Sequence, residues 1–107
     1  MKTDAVYAAQ IRDAIDRIGT YLGGMDDEAF LNDPMRQDAV TRQLEVVGEA
    51  ARRLSDDYRD ARPDVQGRAI IGLRNRLAHD YLGIDMTIIW EVATADLPRL
   101  RDAVAED

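Results

Sequence analysis

The stretch from Asp33 to Tyr58, DPMRQDAVTRQLEVVGEAARRLSDDY, decides the fold. Asp33 followed by Pro34 is the preferred order for starting a helix: a capping carboxylate, then a ring whose missing N–H costs nothing at the first helical position. From there Val40, Leu44, Val47, Ala51, Leu54 and Tyr58 recur at the spacing of one helical face. Pro63 forbids continuation beyond about Ala61 or Arg62. One long amphipathic helix therefore needs apolar partners on the same side, and the flanking sequence offers them.

Upstream, Tyr7, Ile11, Ala14, Ile15, Ile18 and Leu22 form a helical stripe from about Asp4 to Leu22, which Gly23-Gly24 ends. A short helical turn is expected over Asp26 to Leu31. Downstream, a third main helix spans about Val65 to Leu82 and stops at Gly83. Asp85 is placed to cap a fourth, whose stripe is Ile89, Val92, Ala93, Leu97, Leu100 and Val104. Pro98 lies inside that stripe and is expected to kink or break it. Alternating apolar runs and hairpin dipeptides are missing. The expectation is an all-α chain, one domain over residues 1–107, folded as an antiparallel up-and-down bundle of four main helices with a short extra helix.

Composition narrows the function classes. The 107 residues are 46% hydrophobic, include no cysteine, and carry 14 basic against 21 acidic side chains for a net charge of −7. Thiolate metal sites, Cys nucleophiles and disulfide scaffolds are excluded, and one histidine cannot make the paired ligands of a zinc hydrolase. No apolar run approaches a membrane span and the start lacks a signal peptide, so the chain reads as a soluble cytoplasmic domain. Net acidity argues against a general nucleic-acid binder. The charge is uneven, however: residues 52–76 hold seven arginines against four aspartates, a balance of +3 that leaves −10 elsewhere. All basic residues but Lys2 are arginine, the side chain whose fork matches a phosphate, although coding bias accounts for the same preference.

Chemistry concentrates in Gly72-Leu73-Arg74-Asn75-Arg76-Leu77-Ala78-His79-Asp80-Tyr81. On a helical wheel Ile70, Leu73, Leu77 and Tyr81 share a core-facing arc. Arg74, Asn75, Ala78, His79 and Ile71 share the adjacent arc, too polar for a core and too apolar for a solvated face. Such an arc fits the wall of a groove or a subunit interface, with Asn75 and His79 close enough to address one group together. Each residue also has a plain structural role open to it. His79 suits a helix C-terminus, Arg74 can pair with Glu45 or Glu49, and Tyr81 can pack in the bundle.

Arg74-x4-His79-x-Tyr81, with Asn75 after the arginine, resembles the signature of the HEPN-domain ribonucleases, in particular the HepT-like toxins. Asp33 to Ala39, Gln43 to Ala51, Ile70 to Leu77 and Asp96-Leu97-Pro98 resemble the same family's helices, so the likeness covers nearly the whole chain. It implies a metal-independent endoribonuclease, needing no cofactor, that works as a homodimer with two motifs facing across a composite cleft. It further implies that His79 assists proton transfer from the ribose 2′-hydroxyl, Arg74 holds the scissile phosphate, and Asn75 orients one of the two. Arg68 and Arg76 are the neighbouring arginines expected to meet the RNA backbone. The family's partner is an MntA-like minimal nucleotidyltransferase antitoxin of a type VII-like toxin-antitoxin system. It moves AMP from ATP onto the motif tyrosine, so Tyr81 is the implied acceptor. The other expectation is a HEPN-type interaction module that binds the nucleotidyltransferase without cutting RNA. Neither reading calls for DNA or a membrane.

Overall fold

The computed structural model describes residues 3–65 and 85–105, the side chain of Asp64 aside. Helix α1 (Asp4–Leu22) turns Ala8, Ile11, Ala14, Ile15, Ile18 and Leu22 inward. Tyr7, expected on this stripe, is only partly buried; the smaller Ala8 takes the inner position beside it. The helix stops where Gly23 adopts φ 53° and ψ 30° and donates its N–H to the Gly19 carbonyl at 3.0 Å. That left-handed step is cheap for glycine alone.

A five-residue helix, α2 (Asp27–Leu31), is capped by Asp26, whose carboxylate accepts from the Ala29 N–H at 2.9 Å. It delivers Phe30 to the core with no exposed surface, its ring centroid 5.4 Å from that of Trp90. Helix α3 (Pro34–Arg53) begins as its sequence predicts, Asp33 accepting from the Arg36 N–H at 3.1 Å with Pro34 following. Gln37 Nε2 reaches back to donate to the Phe30 and Leu31 carbonyls at the end of α2, the first of which also accepts from the Asp33 N–H. Val40, Leu44, Val47, Gly48, Ala50 and Ala51 are the buried side of α3.

The far end of α3 departs from expectation. The helix ends at Arg53, about two turns before Ala61. Leu54 takes an extended conformation, φ −65° and ψ 144°, and Ser55 starts a new helix, α4 (Asp56–Asp60), by accepting from the Tyr58 N–H. The cause is a tertiary contact. Asp4, at the start of α1, accepts from the Ser55 N–H at 2.8 Å through Oδ1 and from the Ser55 hydroxyl at 2.7 Å through Oδ2. The same contact sets the beginning of α1 against the end of α3, so the two long helices run antiparallel. A 3₁₀ turn, Pro63–Val65, follows α4 and leaves Val65 1% exposed. The expected third main helix, apart from Val65, lies outside the described residues.

The chain is described again from Asp85, which accepts from the Thr87 N–H at 2.8 Å and caps α5 (Met86–Glu91). Val92–Asp96 is a π-helical segment, and α6 (Leu97–Ala103) completes the element. Pro98 does not break the helix as expected: the chain stays helical through it, with the π segment just before it. The Leu97 N–H donates five residues back to the Val92 carbonyl, and Pro98 sits in the first turn of α6, where its ring is tolerated. Ile89, Ala93, Leu97, Leu100 and Val104 stay buried through the change of pitch. Arg12 Nη1 donates to the Val104 carbonyl at 2.6 Å, and the Arg101 guanidinium meets Asp16 at 3.0 Å. Higher positions on α1 therefore match lower ones on α6, which makes this pair antiparallel too. The described elements are all helical, packed around one core in which Phe30, Ile11, Ile18, Leu44, Ile89 and Leu97 are fully buried. Each such side chain contributes about 1.5 to 3 kcal/mol of transfer free energy.

Candidate functional site

Arg68, Arg74, Asn75, Arg76, His79 and Tyr81 all lie outside the described residues. The structure describes the frame from which the chain enters and leaves that stretch. It enters from Val65, buried and hydrogen-bonded through its N–H to the Arg62 carbonyl at 2.8 Å, and leaves at the Asp85 cap.

The arginines leading up to the motif are held in different ways. Arg52 and Arg53 both meet the Glu49 carboxylate, at 2.8 and 3.0 Å, and Arg59 meets Asp56 at 2.9 Å. Hydrogen bonds donated to the Glu49 carboxylate hold Arg52 and Arg53 above the usual arginine pKa. Glu45, the other carboxylate considered as an Arg74 partner, lies 3.7 Å from Arg42. The positive balance of residues 52–76 is therefore partly neutralised by carboxylates on the same helices, one of which, Glu49, sits just outside that window. These pairs are exposed and exchangeable, but a phosphate must displace a carboxylate to use them. No continuous arginine track is presented by the described part of this segment.

Arg62 differs. Its guanidinium carbon lies 3.7 Å over the centre of the Tyr58 ring, a cation–π arrangement. Arg62, Tyr58 and Arg12 share a cavity of about 370 Å³ with Ala5, Ala8 and Ala9 of α1. Sequence reasoning counted Arg62 as one more arginine of the basic segment and passed over Arg12 and Tyr58. The three come from the middle of α1, from α4 and from the residue before the 3₁₀ turn, and no spacing rule links them. The one legible sign was the run of small residues Ala5, Ala8 and Ala9, which leaves room along one side of α1. No described helix is long and apolar enough to cross a membrane.

Residues 11–106 match the family model described as ribonuclease HepT-like, a span that includes the whole motif. A protein of Caldanaerobacter subterraneus subsp. tengcongensis named as a candidate RNase is 33% identical over 106 residues, 99% of this chain and 95% of its own length. The "Probable ribonuclease HepT" of Thermococcus cleftensis is 33% identical over 95 residues, 89% of this chain and 86% of the relative. A further candidate RNase, from Methanocaldococcus jannaschii, is 39% identical over 80 residues, 75% of this chain and 73% of the relative. No solved structure gives a significant match. With nearly its full length matched, the chain belongs to the HepT-like ribonuclease family.

Proposed function

We propose that this chain is a metal-independent endoribonuclease toxin whose site is built from Arg74, Asn75 and His79 and whose activity is silenced by AMPylation of Tyr81. The observation that carries the reading is the coincidence of the family match over residues 11–106 with a complete Arg74-Asn75-x3-His79-x-Tyr81 set. Each residue type suits its step. The His79 imidazole takes the 2′-hydroxyl proton, a step suited to histidine, whose side chain in general exchanges protons near neutral pH. The O2′–P bond forms as the P–O5′ bond breaks, and the leaving oxygen gains a proton. The products are a 2′,3′-cyclic phosphate and a 5′-hydroxyl. Arg74 offers a planar fork to the phosphoryl oxygens, where negative charge grows in the transition state. Asn75 orients the imidazole or the phosphate.

The functional unit is a homodimer with the two motifs facing one another, and the partner is a nucleotidyltransferase antitoxin of the MntA type. Transfer of AMP from ATP to the Tyr81 oxygen releases pyrophosphate. It also leaves a bulky anion one i+7 step from Arg74 along the helix that the sequence predicts, which blocks the cleft and opposes its charge. The cytoplasm is the compartment that supplies both RNA and ATP.

The test is cleavage of a single-stranded RNA by purified protein in EDTA. Wild type cuts; Arg74→Ala and His79→Ala do not, while circular dichroism shows the helices retained. Survival of cleavage in both variants refutes the assignment. Absence of cleavage by wild type favours the interaction-module reading. Mass spectrometry after coexpression with the nucleotidyltransferase tests the second half: adenylyl groups map to Tyr81 and vanish in Tyr81→Phe.

A further inference from the structure

We infer that the cavity shared by Arg12, Tyr58 and Arg62 is a binding site for one nucleotide of a single-stranded RNA, apart from the cutting motif; this rests on the ribonuclease reading above. The cavity, at about 370 Å³, falls within the range of pockets that hold small ligands, about 300 to 1,000 Å³. Its lining combines four alanines and Val104 with one aromatic ring and two guanidiniums. Arg17, Arg36, Arg42, Arg52, Arg53, Arg59 and Arg101 each sit within 4.0 Å of a carboxylate. Arg62, like the exposed Arg99, has no such pair among the described residues, in a chain with seven more acidic than basic side chains. Asp4 is the carboxylate whose charge feels Arg62, but both of its oxygens accept from Ser55.

The geometry selects the ligand class. With its carbon 3.7 Å over the Tyr58 ring, the Arg62 guanidinium is held at the cavity, where its N–H fork can meet an anion. Arg12 approaches from α1, fixed by its bond to the Val104 carbonyl. An aromatic ring joined to a stacked arginine is the platform on which single-stranded nucleic acids lay a base, with the phosphate taken by the cation. An acidic peptide satisfies the guanidiniums but leaves the alanine-lined volume unfilled. The body around the cavity is acidic, so the contact adds affinity for a strand already led to the protein without making the surface generally sticky to RNA.

The experiment titrates the full chain with a fluorescent 2′-deoxy decamer, which lacks the attacking hydroxyl and reports binding without cleavage, alongside cleavage kinetics on the matching RNA. Arg62→Ala is expected to weaken decamer binding roughly tenfold and to lower the slope of log affinity against log salt by about 1. KM for the RNA rises by a similar factor and kcat stays. Arg62→Lys restores the salt slope but not the affinity, because an ammonium neither stacks nor forks. Tyr58→Ala repeats the loss of affinity with the salt slope unchanged; thermal melting establishes that it remains folded, and Tyr58→Phe, which keeps the ring, retains binding. Unchanged affinity, slope and KM in Arg62→Ala overturn the site. So does an Arg62-dependent complex with a Glu-rich peptide in place of the decamer. If wild type fails to cut RNA yet binds the decamer through Arg62, the ribonuclease reading falls and the nucleotide site stands; normal cutting with no Arg62 effect gives the reverse.

Discussion

The two long helices stop in different ways. Helix α1 ends on a local device: Gly23 at φ 53° returns its N–H to Gly19, four residues back. Helix α3 ends on a distant one, since the serine that starts the next helix is held by Asp4, 51 residues earlier. A local stop is written in the residues that make it. A distant stop is written in two places that mean nothing until the chain has folded. The contrast explains why the first boundary can be read from the sequence and the second overshoots by two turns.

The comparison can be tested by weakening each end in turn. The largest effect is expected where the α3 end enters the core. Leu54 is 2% exposed just past the α3 boundary, so Leu54→Ala should destabilise by about 2 to 5 kcal/mol in urea unfolding. A much smaller value would mean that the α3 end closes only loosely on α1. Next come the distant-stop residues themselves. Ser55→Ala removes both the cap on Tyr58 and the hydroxyl donated to Asp4, and should cost about 1 to 2 kcal/mol. Asp4→Ala combined with Ser55→Ala should cost less than the sum of the two alone, by at least about 0.5 kcal/mol, as expected for groups in direct contact. Additive costs would detach the α3 boundary from α1. Smaller again is Gly23→Ala, at about 1 kcal/mol for forcing alanine into the left-handed region. Its new methyl would meet only the Thr20 carbonyl at 3.5 Å, ordinary contact, so the loss is conformational and should not couple to Asp4.

What could be read in advance follows the same division between local and distant causes. The stripe Ile11, Ala14, Ile15, Ile18 and Leu22, the Asp33 and Asp85 caps and the glycine stop are local, and all agree with the structure. The pairing of Arg52 and Arg53 with Glu49 is local as well, three and four residues apart, and counting charge by window hid it. The chemistry of the motif was legible because Arg74, Asn75, His79 and Tyr81 sit within eight residues and fall on two adjoining faces of one predicted helix. The Arg12, Tyr58 and Arg62 cavity was not, because its two arginines are 50 positions apart and only the folding of the chain brings them to one place. Pro98 shows an intermediate case: an irregularity near it is foreseeable from the sequence, but that it takes the form of a π segment in an unbroken helix, with Ala93 and Leu97 both buried, is not.

Acid provides the finest separation of the two ends. The hydrogen bonds from the Ser55 hydroxyl and N–H hold the Asp4 carboxyl below its ordinary value of 3.8. A carboxyl depressed by folding contributes stability that is fully present above its unfolded pKa and disappears as pH falls through the lower folded one. The gap in stability between wild type and Asp4→Asn should therefore be constant near neutrality and close as the buffer passes below the ordinary aspartate range. The substituted amide keeps the shape and one acceptor oxygen but cannot titrate. No titratable group takes part in the Gly23 stop, so the cost of Gly23→Ala should not change over the same range. Urea midpoints of the three proteins across an acid series measure both. A gap that persists after Asp4 is protonated would show that hydrogen-bond shape, not charge, holds Ser55 in place.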